Sequence, residues 1–385
     1  MPRIAFVDYF PTHYRRRLYE ELARRADADF YFFADQRERW SDPNVPAAWN
    51  DGDYRRVELP RYRLAGQAIM PGVAGRLLRG RYDAVIKSPN GKLMLPLIYG
   101  AARASRTAFV LWLGMWMHPR SAAHRVSKPM LEGIYRGAGA IVAYGDHIKR
   151  FALQTPGVAA EKVFVAGQAV DSDPFEAVHP LRDTQPPEIL FIGQFKEFKG
   201  LPDLIDAYER VSPSGAHLRL IGGGPMSDWA RQRVRMLPGV ELVGYRSQAE
   251  LPAELARARC LVIPSITTAL DREPWGVVVN EAMHSGVPVI ATDAVGAAAG
   301  GLVVDGRNGL VVPERDPTAL ADAMLRLIRD PELATRMGEA ARRDVAAFNY
   351  PRMAQAFLDA VQFAIAANAR RRHRWTPAKR SGGAH

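Results

Sequence analysis

Twice along this chain, short runs of β-branched and aromatic residues alternate with longer stretches of helical character, and a proline-rich segment divides the two series. Such alternation marks βαβ units, which bury a parallel sheet between helices and admit few topologies. In the first series the predicted strands are residues 4–10, 30–34, 84–87, 108–113, 141–144 and 163–166. A helix is predicted over 14–25, others follow the third and fourth strands, and a loop rich in Trp, Pro, Asn and Asp spans 40–54. His179-Pro-Leu-Arg-Asp-Thr-Gln-Pro-Pro187 reads as a linker. In the second series, strands are predicted at 188–193, 218–221, 240–243, 261–264 and 287–292. Helices are predicted at 201–211, 226–236, 248–259, 276–284, 318–329, 332–348 and 351–367. The expected units are a first domain at 1–178, the linker at 179–187 and a second domain at 188–349. A helix within 350–369 is expected to pack back toward the first domain, followed by a disordered basic tail at 370–385. A length of 385 residues exceeds what one hydrophobic core usually supports. The expected fold class is α/β: two Rossmann-like, doubly wound parallel sheets facing across an interdomain cleft, with ligands at the strand C-termini.

The single cysteine, Cys260, excludes a disulfide framework and a multi-thiolate metal site, and its apolar surroundings place it in a buried strand. The N-terminus enters a strand-like run without the features of a signal peptide, and no stretch of about 18 apolar residues occurs. A cytoplasmic protein is expected, with the inner face of the plasma membrane as a peripheral station. The net charge of +11 is uneven. Residues 1–180 hold 26 Lys/Arg against 18 Asp/Glu, residues 181–369 hold 20 against 23, and residues 370–385 add six unopposed basic residues. This fits either a solvated surface or a first domain and tail that rest on anionic headgroups. Nucleic acid is not expected, because no recognised binding motif accompanies the charge.

The most informative segment is Asp271-Arg-Glu-Pro-Trp-Gly-Val-Val-Val-Asn-Glu-Ala-Met-His-Ser-Gly-Val-Pro-Val-Ile-Ala-Thr292. It reads as loop, helix, glycine stop and strand. Three valines enter the helix where propensity disfavours them, so burial must hold it. Free N–H groups at a helix start attract anions, and a diphosphate can sit there without a metal. Glu273 in the loop and Glu281 about two turns on can face one pocket; dipole complementarity and solvation are the plain alternative for each.

Taken together, Glu273-Pro274-Trp275-Gly276 and Glu281-Ala282-Met283, followed by Gly286-Val-Pro288, resemble the donor signature of a large glycosyltransferase family. These are the retaining nucleotide-sugar enzymes of family 4 in the carbohydrate-enzyme classification, which have the GT-B fold. The resemblance implies that Glu273 contacts donor-sugar hydroxyls and that Glu281 hydrogen-bonds the ribose. It also implies that loop amides around Gly276, Val277 and Val278 hold the phosphates, with Pro274 and Trp275 in the same donor-binding stretch. Further upstream, Ile189-Leu-Phe-Ile-Gly193-Gln-Phe-Lys-Glu-Phe-Lys199-Gly200 is similar to the family's first strand and phosphate-gripping loop, in which Lys199 neutralises the diphosphate. The family usually has arginine where this chain has Gln194, so either Lys196 compensates or the phosphates are held more weakly. Gly222-Gly-Gly-Pro225 resembles the family's glycine-proline turn, Gly244-Tyr245 the place where the base packs on main chain, and Gly306-Arg-Asn-Gly309 a structural closing turn.

The first half matches less closely. His118, ending the run from Leu111, is the candidate for the family's catalytic-side group, or else a satisfied polar residue. Trp112 and Trp116 read as core, with Trp116 alternatively lining the acceptor. His13 stands where the family usually has glycines facing the acceptor, and His147 is a further cleft candidate. The expected function is retaining transfer of a hexose-type sugar from a nucleotide-diphosphate sugar to a hydroxyl acceptor, in cell-surface polysaccharide or glycolipid synthesis. The alternatives are a small natural product as acceptor, or a catalytically silent nucleotide-sugar-binding scaffold. No metal or other cofactor is expected, since no Asp-x-Asp or histidine-rich cluster offers a credible ligand geometry.

Overall fold

The computed structural model describes residues 1–34, 52–181 and 185–374. Most of the predicted 40–54 loop, the middle of the linker and the chain from 375 lie outside these. The first half runs β1 (Arg3–Asp8), α1 (Arg16–Arg25), β2 (Asp27–Phe32), a hairpin of β3 (Tyr62–Leu64) and β4 (Gln67–Ile69), α2 (Gly72–Leu78) and β5 (Ala84–Lys87). It continues α3 (Met94–Ser105), β6 (Ala108–Leu113), α4 (Ala122–Gly137), β7 (Ala140–Ala143), α5 (Asp146–Leu153), β8 (Val163–Val165) and α6 (Asp173–Glu176). The second half runs β9 (Glu188–Ile192), α7 (Leu201–Val211), β10 (His217–Ile221), α8 (Ser227–Val234), β11 (Val240–Gly244), α9 (Leu251–Arg257) and β12 (Ala258–Ile263). It ends with α10 (Val278–His284), β13 (Val289–Thr292), α11 (Gly296–Ala299), β14 (Gly309–Val312), α12 (Pro317–Arg329), α13 (Pro331–Val345) and α14 (Tyr350–Arg374).

Two six-stranded parallel sheets result, in the orders β2-β1-β5-β6-β7-β8 and β11-β10-β9-β12-β13-β14. Each is apolar on both faces, as a sheet sandwiched by helices must be. In β1, Ile4 and Phe6 point into one core while Ala5 and Val7 point into the other. The last helix, α14, belongs to the first sheet's core although it follows the second in sequence. Phe357 packs on Phe6 and Trp112 with ring centroids 6.0 and 5.2 Å apart, and Met353, Ala360, Val361 and Ala364 are buried beside them.

Several boundaries differ from the sequence reading. The predicted helix over 248–259 shortens to α9, because Ala258 and Arg259 already belong to β12 and are buried in the sheet. β2 starts at Asp27 rather than 30 and pairs with β1 along its whole length. α14 runs five residues past 369, since Arg370-Arg-Arg-His-Arg374 contains no helix breaker before Pro377. β14, α2 and the β3–β4 hairpin have no counterpart in the sequence reading.

Candidate active site

The order of the second sheet reverses between β9 and β12, so the chains leaving those strands diverge and open a crevice at their C-terminal ends. Both loops carry chemistry. After β9 the chain makes a 3-10 turn over Glu197–Lys199 and stops at Gly200, whose φ is 68°. A Cβ on Gly200 would lie 1.8 Å from the Pro264 carbonyl oxygen, so only glycine lets this loop cross the end of β12. The Ile266 amide donates to Phe198 O at 2.8 Å and ties the two loops together. The consequence is a direct ion pair between the Lys199 ammonium and the Glu273 carboxylate, whose Oε2 also accepts from Ser265 Oγ at 3.2 Å. The pair is largely shielded, with side-chain exposures of 16% and 8%. A phosphate can compete for this lysine, and sugar hydroxyls can donate to this carboxylate.

The glycine run after β10 has a steric reason. A Cβ on Gly222, with φ 130°, would lie 1.9 Å from Gly193 O, and Phe195 N–H donates to Gly223 O at 2.8 Å. The run therefore lets the β10 loop lie against the β9 loop that carries Gly193, Gln194 and the half-buried Lys196. At the neighbouring edge, Gly244 (φ 80°) accepts from Gly222 N–H at 2.9 Å, and half-buried Tyr245 follows it.

On the other loop, Gly276 takes φ 86° and turns the chain into α10, whose first amides have no acceptor within the helix. Val277 and Val278 are half-buried at this start, and Val279 is fully buried. The Trp275 side chain, expected among the donor contacts, is instead buried in the core. Its indole donates to Asn280 Oδ1 at 2.7 Å, and Asn280 Nδ2 in turn donates to Gln168 O at 2.8 Å. An indole N–H that finds a buried partner has no reason to face solvent. Glu281 is also buried and accepts from Gln248 Nε2 at 2.8 Å; burial raises its pKa from 4.5 to about 7, against the effect of the Gln248 bond.

In the first domain the candidates separate. Trp112 is core, with the Arg15 guanidinium 4.1 Å above its ring. His118 bonds His124, Nδ1 to Nε2 at 2.9 Å, and packs on Phe151; burial and then the neighbouring His124 lower its pKa. These partners all belong to the first domain, while two residues further on the Arg120 amide donates to Ala269 O of the second domain at 2.6 Å. His13 opens the 3-10 turn His13–Arg15 after β1, and its side chain lies outside the described residues. Trp116 and His147 do reach the second domain, on the loop carrying Glu273. Sequence reasoning missed Ser265, Gln248 and Arg272. Ser265 was discoverable, standing two residues past the end of β12 at the reversal of strand order; Gln248 and Arg272 carry no sequence signal of their roles.

Because the folded chain binds the Glu281 proton more tightly than the unfolded chain, this carboxyl favours folding at low pH. That contribution is withdrawn as pH rises from 4.5 to about 7. Wild type should therefore lose stability relative to Glu281→Gln across this window, measured as the difference between their denaturation midpoints at each end. A constant difference would show that the carboxyl is not desolvated.

Residues 186–330 match the family model described as glycosyl transferases group 1. Glycogen synthase of Mycobacterium tuberculosis is 33% identical over 193 residues, covering 49% of this chain and 44% of that protein. Alpha-D-kanosaminyltransferase of Streptomyces kanamyceticus is 28% identical over 244 residues, covering 58% of this chain and 60% of that one. The chain thus spans less than two thirds of the length of these curated relatives. Anabaena Alr3699/HepE, solved in complex with UDP and glucose, superposes with a TM-score of 0.69 at 18% identity, over 94% of this chain and all of that one. The architecture is the GT-B fold, and its second domain carries the match to group 1 glycosyl transferases.

Proposed function

We propose that this chain is a retaining glycosyltransferase that moves a hexose-type sugar from a nucleotide-diphosphate sugar to a hydroxyl acceptor. The observation that carries the proposal is the Lys199–Glu273 pair at the reversal of strand order, next to the Gly276 turn. The diphosphate takes Lys199 and the amides around Gly276–Val278, while sugar hydroxyls donate to Glu273. As the anomeric C–O bond to phosphate breaks, negative charge grows on the leaving diphosphate, and Lys199 stabilises it more than it stabilises the ground state. The acceptor oxygen bonds to the anomeric carbon on the face the phosphate leaves, and its proton passes to a phosphate oxygen. Lys199 and the helix start supply the positive field this step needs, so we assign no metal to it.

Lys199→Ala and Glu273→Ala should each lower kcat by tens to thousands of fold, about 2–4 kcal/mol for one lost charge-stabilising contact. Transfer is followed by NMR, which also reads the anomeric configuration of the product. Wild-type turnover in both variants, or an inverted product, would refute the assignment.

For the acceptor we favour a lipid-linked glycan met at an anionic membrane surface on the cytoplasmic side. No helix among the described residues is long and apolar enough to cross a membrane. The exposed face of α4 nevertheless combines Val126 (83% exposed) and Met130 (41%) with Arg125 and Lys128, the latter also 3.5 Å from Glu132. This face adjoins the acceptor-side candidate His118, which His124 in the first turn of α4 holds. Co-sedimentation with phosphatidylglycerol vesicles should weaken as salt rises, and weaken further in Val126→Asp. Equal binding to phosphatidylcholine vesicles, or none to either, would argue against this partner.

A further inference from the structure

Three consecutive residues of the donor loop, Arg272, Glu273 and Pro274, are gripped by two side chains of the first domain. Trp116 lies beyond the end of β6, and its indole N–H donates to the Glu273 carbonyl at 3.0 Å. The Arg272 guanidinium lies 3.7 Å from the centre of the same indole, a cation–π contact across the cleft. His147, in the first turn of α5, stands edge-on to Trp116 with ring centroids 4.7 Å apart. Its Nε2 lies 3.0 Å from the Pro274 carbonyl; a carbonyl only accepts, so the proton is on Nε2.

The opposite ring nitrogen, Nδ1, is buried without a partner, which favours the neutral ring, and burial indeed lowers the pKa of His147 to about 4. The latch is closely fitted. A Cβ on Gly145 or on Gly300 would come within 2.9 Å of His147 Nδ1. From its own domain the loop is held by α11, whose Gly296 N–H donates to the Glu273 carbonyl at 3.1 Å and whose Ala297 N–H donates to Trp275 O at 2.8 Å. The Glu273 carbonyl therefore accepts one hydrogen bond from each domain.

We propose that Trp116 and His147 are positioning residues: by fixing the backbone of Arg272–Pro274 they aim the Glu273 carboxylate at the donor sugar. The sugar end of the donor site is then complete only when the first domain is docked on the second. The inference rests on the reading of Glu273 as the sugar contact. It separates two halves of the donor. The diphosphate is held by Lys199 and the α10 start, both in the second domain, and does not depend on the latch. The added affinity of the sugar does.

The test uses the full chain and titration calorimetry with UDP, GDP, ADP and dTDP and their glucose conjugates, together with kcat and KM. Trp116→Phe keeps a ring under Arg272 but removes the N–H. His147→Gln retains a side-chain N–H donor, whereas His147→Leu has none. For the nucleotide that binds, Trp116→Phe and His147→Leu should leave its own Kd within about twofold of wild type. The advantage of the sugar conjugate over that nucleotide should shrink about five- to tenfold, the worth of one neutral hydrogen bond. The kcat should fall by a similar factor, with His147→Gln closer to wild type.

Unchanged sugar advantage and turnover would overturn the proposal. So would equal weakening of nucleotide and conjugate, which would make the latch merely structural. Failure of the underlying reading shows itself differently: Glu273→Ala would keep the wild-type sugar advantage, or none of the four nucleotides would bind, and the inference would fall with it.

Discussion

An ion pair between Lys199 and Glu273 organises the second domain, and the sheet topology is what makes it possible. The two residues are 74 positions apart, yet β9 and β12 are neighbours whose following loops part company, so side chains from both project into one crevice. A pair this shielded is weak evidence for stability, because desolvation offsets much of the attraction. Its consequence lies elsewhere. Removing either partner leaves the other charge uncompensated in a shielded place, whereas a ligand offering phosphate to one and hydroxyls to the other compensates both.

The support for this crevice is steric as much as electrostatic. Gly200 and Gly222 lie where a Cβ would strike the backbone of the adjacent loop, at 1.8 and 1.9 Å. Both therefore act at a distance from the chemistry by letting loops cross. The two domains are also joined more than once. The chain passes through the linker, returns in α14 to complete the first sheet's core around Phe357, and meets again at Trp116 and His147. The first domain is thus built partly from residues of α14, and the Arg272–Pro274 loop of the second domain partly leans on the first.

The two-sheet architecture was legible because parallel strands buried on both faces are written as near-continuous apolar runs, such as Ala108–Leu113 and Ala258–Ile263. The resemblance singles out Glu273 in one segment and Lys199 in another, and the structure brings these two side chains together. What escaped depends on tertiary partners that no local pattern encodes. Trp275 looks like a ligand residue in the motif, but Asn280 and Gln168 give its indole a buried hydrogen-bond network. Gly309 looks like a turn, and it does end one, but the residues that follow form β14 because β13 offers them an edge. His147 carries no local signal of its contact with the Pro274 carbonyl, which arises only because the fold lays α5 against the Arg272–Pro274 loop.

The central claim is that a nucleotide diphosphate binds at Lys199 without a metal, and thermal melts test it most directly. Wild type and Lys199→Ala would be melted with UDP, GDP, ADP and dTDP, each in EDTA and in magnesium. At about 100 times its Kd, a bound nucleotide stabilises the fold by about 2.7 kcal/mol, enough for a visible shift. The account predicts that one nucleotide raises the melting temperature of wild type equally in EDTA and magnesium, and that Lys199→Ala loses most of the shift. No shift with any nucleotide, a shift that requires magnesium, or an undiminished shift in Lys199→Ala would contradict it.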